Sequence, residues 1–247
     1  MKRTFLLIIA LAATAAIDAF AQERSYQRDF PVNSSARFSL DSYKGTISVR
    51  TDGGNTIRVK ARIYPDVDGT PESIHDVEIR ENSSRNSVSI KVRNVNNDSG
   101  NNILPLVHWD IRLPDTVDLA LTTYKSQVDL DVPAGRIDIN SYKGTGTIRG
   151  VRNAFKLDTY KGNFKIEVRE LADLDLDTYK GDIALDVWGA EDFELRANTY
   201  KGTIQFTGLV IPVENKRRNT EVSFTRGSGR NRLSLETYKG SFKVDFK

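Results

Sequence analysis

Cysteine is absent from the 247 residues. The chain therefore has no disulfide, no thiol nucleophile and no thiolate metal site. Histidine is nearly absent as well. His75 and His108 are the only two, far apart and without metal-ligand spacing to other donors. No Gly-x-Ser-x-Gly elbow occurs. Gly227-Ser228-Gly229 lies between two arginines in a loop, so no glycine-rich phosphate cradle opens a helix either. Net charge is only +3 and both signs are interspersed, which lacks the concentrated basic face that nucleic-acid binding needs. Helical periodicity is missing beyond residue 21, and so is any later apolar run long enough to span a bilayer.

What the chain has is repetition. A phrase of the form Leu-x-Leu-x-Thr-Tyr-Lys-Gly-x-Ile-x-Leu recurs around Tyr43, Tyr124, Tyr142, Tyr160, Tyr179, Tyr200 and Tyr238. Counted from the tyrosine, position −5 is Phe38, Leu119, Ile137, Phe155, Leu174, Leu195 or Leu233, and position −3 is apolar throughout. Position −1 is always Ser or Thr. Position +2 is Gly except at Ser126, and position +4 is apolar except at Gly146. Alternation of this kind marks a strand with one buried face. The inward set is −5, −3, −1 before the tyrosine and +4, +6 after it. These sets differ in parity, so the chain must bend or bulge at Tyr-Lys-Gly, where glycine tolerates the bend. Each unit reads as strand, corner, strand.

From Tyr124 to Tyr200 the tyrosines are separated by 18, 18, 19 and 21 residues, and the next gap is 38. The long gap predicts one copy without its marker near Asn219. A period near 20 residues with short strands and no helix implies a β-solenoid whose coils stack to bury their apolar faces. The fold class expected is all-β, a single-domain, mostly parallel β-solenoid. A β-sandwich is the alternative. Parallel stacking would align the tyrosines, lysines and glycines into rows.

The first residues are Met1-Lys2-Arg3, an apolar run from Phe5 to Ile17, and Ala19-Phe20-Ala21. This reads as a signal peptide over residues 1–21, cleaved after Ala21. The expected domain is 22–247, with an irregular part over 28–118 and regular coils over 119–247. In the irregular part Thr51-Asp52-Gly53-Gly54-Asn55 reads as a turn that folds Thr56–Ile63 back as a hairpin. Strands are expected near Val77–Arg80, Ser87–Val92 and Val107–Leu113, with loops over Tyr64–Pro71 and Arg93–Asn102. The location that follows is exported: periplasmic, cell-surface or extracellular.

The segment Phe38-Ser-Leu-Asp-Ser-Tyr-Lys-Gly-Thr-Ile-Ser-Val49, then Ile111-Arg-Leu-Pro114 leading into x-Leu-x-Thr-x-x-Gly-x-Ile-x-Val units, resembles the DUF4097 adhesin-like family of bacterial β-strand-repeat proteins. The resemblance covers nearly all of the chain beyond residue 21. It implies a right-handed, mostly parallel β-solenoid, often exported, and a role in cell-surface attachment. Family members usually carry small or polar residues where this chain has Tyr-Lys.

That departure supplies the candidate binding residues: Tyr124, Lys125, Tyr142, Lys143, Tyr160, Lys161, Tyr179, Lys180, Tyr200 and Lys201. Parity places these tyrosines outward. One reading is a stabilising aromatic ladder at a corner. The other is a flat aromatic and cationic strip for an acidic polysaccharide, rings meeting sugar rings and lysines meeting carboxylates. Another envelope protein is a further possible partner. The carboxylates at −2, Asp41, Asp158, Asp177 and Glu236, read as a solvated row. Their expected spacing of about 5 Å also matches retaining glycosidases. Lys216-Arg217-Arg218 reads as a charged loop. No cofactor or metal is expected. The function that follows is an exported, non-enzymatic, adhesin-like scaffold or binding module. A glycan-active lyase or glycosidase on a β-helix and an envelope-stress sensor are the alternatives.

Overall fold

The computed structural model describes residues 23–95, 103–132, 135–215 and 219–247. The expected signal peptide, the basic triplet 216–218 and most of the asparagine-rich loop lie outside the described residues. In chain order the strands are β1 (Arg24–Pro31), β2 (Arg37–Asp52), β3 (Thr56–Tyr64), β4 (Val77–Ser83), β5 (Ser87–Asn94), β6 (Leu106–Pro114), β7 (Asp118–Asp131), β8 (Ile137–Val151) and β9 (Phe155–Val168). They continue as β10 (Leu174–Lys180), β11 (Asp182–Val187), β12 (Phe193–Thr199), β13 (Thr203–Thr207), β14 (Glu214–Asn215), β15 (Thr220–Arg226), β16 (Asn231–Thr237) and β17 (Ser241–Phe246). The one helical element among the described residues is a 3-10 turn, Pro71–His75.

Each coil has two limbs joined at Tyr-Lys-Gly. In β9 the buried residues are Phe155, Leu157 and Thr159 before the corner and Phe164, Ile166 and Val168 after it, with Tyr160 outward between them. The parity switch read from the sequence is thus a bend in a continuous strand. Coils stack in parallel and in register: Leu119 faces Ile137, which faces Phe155, which faces Leu174. Every apolar row therefore packs on itself from coil to coil. Each large apolar side chain buried this way contributes roughly 1.5–3 kcal/mol. The fold is an all-β solenoid in a single stack, and a sandwich is not needed to account for the strands.

Along the first limb the spatial order is β4, β5, β2, β7, β8, β9, β10, β16, β12, β15, β14. Along the second it is β1, β3, β6, β2, β7, β8, β9, β11, β17, β13. Two expectations change here. Strand β3 does not fold back on β2 as a hairpin. It pairs antiparallel with β6 and β1, while the partners of β2 are the parallel strands β5, β6 and β7. The turn at Thr51–Asn55 changes direction, but the pairing is decided by which apolar face needs covering. No unmarked parallel coil lies near Asn219 either. That segment forms the antiparallel strands β14 and β15. The last marked coil, β16 and β17, is inserted between β10/β11 and β12/β13. Antiparallel strands β1, β3, β4, β14 and β15 close most of the two ends, where an open parallel edge would invite pairing with another chain.

A candidate anion-binding groove along the Tyr–Lys corner

At each corner the hydroxyl at −1 turns inward while the tyrosine turns out. Ser42, Thr123, Ser141, Thr159, Thr178, Thr199 and Thr237 are all buried. Thr237 Oγ1 accepts the Gly240 N–H at 2.8 Å, which clips the corner shut across three residues. In the first marked coil the Ser42 hydroxyl accepts instead from Trp109 Nε1 at 2.9 Å.

Outside the corner the tyrosines stack in the order Tyr43, Tyr124, Tyr142, Tyr160, Tyr179, Tyr238, Tyr200. Ring centroids lie 4.7–5.0 Å apart and ring planes are tilted by only 4–12°. The spacing is the distance between neighbouring strands. Tyr124, Tyr142, Tyr160, Tyr179 and Tyr200 fall in one row, as expected from parity. Tyr238 joins them between Tyr179 and Tyr200, and Tyr43 extends the row at the other end. Both carry the same motif, which was the signal that could have added them and their lysines to the candidate set.

This geometry revises one idea. Rings stacked face to face use their faces on each other, so a sugar ring cannot lie flat on them. What the row offers solvent is ring edges and hydroxyls, each tyrosine at Tyr142, Tyr160, Tyr200 and Tyr238 being 38–39% exposed. Tyr160→Ala would remove two stacked contacts at about 0.5–1.5 kcal/mol each. The expected result is a loss of about 1–3 kcal/mol with the fold retained, read from thermal unfolding and an unchanged far-UV spectrum.

The lysines follow the same period. The ammonium groups of Lys125, Lys143, Lys161, Lys180, Lys201 and Lys239 each lie 5.3–5.6 Å from the centroid of the preceding tyrosine ring. None of these six is in an ion pair among the described residues, whereas Lys44 at the end of the row pairs with Asp66. Beside them runs a shallow groove of about 550 Å³. Its floor is Ser126, Gly144, Gly162 and Gly181, its first side Lys125, Lys143, Lys161 and Lys180, and its second side Gln127, Thr145 and Asn163, while Lys201 and Lys239 lie beyond its end. The groove thus has cations on one side and neutral hydroxyls and amides on the other.

On the far side of the tyrosines lies the −2 row. Asp158, Asp177 and Glu236 face one another on consecutive strands. Asp41 is apart from them, paired with Lys91. The Asp177 carboxyl is pushed above its usual range, first by burial and then by Asp158 and Glu236 beside it. A raised carboxyl pKa means the folded chain holds the proton more tightly than the unfolded chain. Stability from this group is therefore fullest below the unfolded value and is lost as pH rises through the folded one. Asp177→Asn is expected to stabilise the protein by a few tenths of a kcal/mol at pH 7, a solvent-screened effect. The gain should vanish below about pH 4, which melting curves across pH 3–8 would show.

His108 lies half-buried on the outer face of β6 with Nδ1 2.8 Å from Thr46 Oγ1. Burial and the nearby Arg62 hold its pKa below the usual value. The Tyr64 ring packs against the imidazole in an edge-type contact with centroids 5.5 Å apart, and among the described residues no carboxylate is bonded to it. His75 sits in the 3-10 turn. Among the described residues no cluster of three or more metal-ligating side chains occurs, and no helix is long and apolar enough to cross a membrane.

A search of curated proteins gives no match. Among solved structures the chain is similar to a candidate cell adhesion protein from Clostridium sporogenes ATCC 15579, at 14% identity and a TM-score of 0.47, covering 91% of this chain and 100% of that one. It is similar to a candidate adhesin from Bacteroides fragilis NCTC 9343, at 14% identity and a TM-score of 0.33, over 91% and 97% of the two chains. A candidate adhesin from Parabacteroides distasonis ATCC 8503 gives 9% identity and a TM-score of 0.35 over 92% and 98%. The family model described as Toastrack DUF4097 matches residues 41–245, and the chain belongs to that family.

Proposed function

We propose that this protein is an exported, non-enzymatic, adhesin-like module that holds an extended acidic polysaccharide along its Tyr–Lys corner. The observation that carries this reading is the set of six lysines without carboxylate partners among the described residues, repeated at strand spacing, four of them (Lys125, Lys143, Lys161 and Lys180) lining a glycine-floored groove. A folded surface ordinarily intersperses opposite charges. Here the like charges stand about 5 Å apart, so an anionic polymer relieves their mutual repulsion as it binds. The tyrosine hydroxyls and the Gln127, Thr145 and Asn163 side chains supply hydrogen-bonding partners for sugar hydroxyls. Export follows from the signal-peptide pattern in the first 21 residues. A binding role fits the carboxylate pair better than hydrolysis does, because Asp158 and Asp177 lie on an open sheet face and not in a cleft.

The test is retention on immobilised polysaccharides. Polyuronate should retain the protein at low salt and release it as ionic strength rises, while a neutral glucan should not retain it. Equal retention on both, or on neither, would overturn the proposal.

A further inference from the structure

The coil formed by β16 and β17 follows β12 and β13 in sequence, yet it lies inside them in the stack. Strand β16 pairs in parallel with β10 on one side and β12 on the other. Strand β17 does the same between β11 and β13. Residues 231–247 thus fill a slot whose walls were both laid down earlier in the chain. We propose that this coil is exchangeable: it can leave its slot, and the same coil of a second copy can take its place.

Three observations support this. First, the slot walls match each other. The inward residues Leu174, Leu176 and Thr178 of β10 correspond to Leu195, Ala197 and Thr199 of β12, and both sets face Leu233, Leu235 and Thr237 of the inserted coil in the same register. With the coil gone, β12/β13 can close directly onto β10/β11, so the vacated stack keeps an in-register pairing. Second, the released coil cannot stay free. It would expose Leu233, Leu235, Phe242, Val244 and Phe246, all buried in place, along with two unpaired backbone edges. The surface complementary to it is a coil-wide slot with this register, which a second copy of the chain provides. The occupant is therefore a second copy and not an unrelated strand.

Third, the connection is short and held at one point. Strand β15 lies on one side of β12 and β16 on the other, so residues 227–230 must cross over the start of β12. Gly227 and Gly229 take positive φ there. The crossing is pinned by Asp192, whose carboxylate accepts from Ser228 Oγ at 2.8 Å and from the Arg230 N–H at 3.0 Å, and whose carbonyl accepts from Asn231 Nδ2 at 3.3 Å. These bonds hold the carboxyl below its usual range. Removing this one half-buried carboxylate would loosen the crossing, leaving only the bonds from Asn231 to the Asp192 carbonyl.

The absence of native cysteine makes the test clean. Asp177 and Glu236 are outward cross-strand partners, close enough for a disulfide. Two full-length preparations with different tags, each carrying Asp177→Cys and Glu236→Cys, are mixed under reducing conditions and then oxidised. The expected product is a covalent dimer bearing both tags on a denaturing gel. It should be absent when each preparation is oxidised before mixing, because the coil is then locked. Asp192→Ala in both copies should raise the rate of mixed-dimer formation about tenfold. Only intramolecular disulfides after reduced mixing would overturn the proposal. So would mixed dimers that form equally well after prior oxidation, since those would come from surface association.

Discussion

Gly181→Ala is expected to lower stability by about 4 kcal/mol or more, at the far end of what single substitutions do. At this position φ is +146° and an added Cβ would sit 1.8 Å from the Gly162 carbonyl oxygen and 2.8 Å from its carbon. Two costs therefore combine: a backbone conformation that side chains rarely adopt, and a collision with the backbone of the next coil. Backbone cannot rotate aside as a side chain can, so relief requires the two coils to part, which also breaks the rows on both limbs. For a chain of this size the melting temperature should fall by about 8–16 °C. Gly53→Ala is the control, because nothing lies within 4 Å of the added carbon there. It should change stability by less than about 0.5 kcal/mol.

The second large effect concerns binding and not stability. Replacing Lys143, Lys161 and Lys180 together by Gln should weaken polyuronate binding about a hundredfold. Near a polyanionic surface each lysine contributes roughly 1 kcal/mol, and about 1.4 kcal/mol corresponds to a factor of ten. The three lie on consecutive coils in the middle of the row. Glutamine keeps much of the stem that packs along the tyrosine edge, so the melting temperature should stay nearly constant. The salt dependence of binding should also become shallower, since fewer charges are neutralised. Titration calorimetry at two ionic strengths measures both quantities.

Much of this was legible in the repeat itself. Alternation at −5, −3, −1 and +4, +6 gives strand, corner and inward face, because one-sided burial forces a period of two and the parity switch forces a bend. The row of tyrosines follows from the period alone. The position of the last coil did not follow. Leu233, Leu235 and Thr237 fit against Leu174, Leu176 and Thr178 as well as against Leu195, Ala197 and Thr199, so near-identical copies do not encode which neighbour they take. Strand β3 escaped for a different reason: its partners β1 and β6 are set by coverage at the end of the stack, whereas the Asp-Gly-Gly-Asn turn reports only local chain reversal. The closed ring faces were implicit in the strand spacing. Rings one strand apart have no room for a sugar between them, so the proposed binding rests on the lysines and the groove.

The length dependence of binding tests the groove most directly. Uronate oligomers of increasing length are titrated against the intact protein at low salt. From Tyr124 to Tyr200 the ladder spans roughly 25 Å, and each further sugar along it meets another lysine. Affinity should therefore climb with each added sugar until the oligomer reaches the end of the row, and then level off. An affinity independent of length from the shortest oligomer onward would contradict a periodic groove, placing any binding at a single local site.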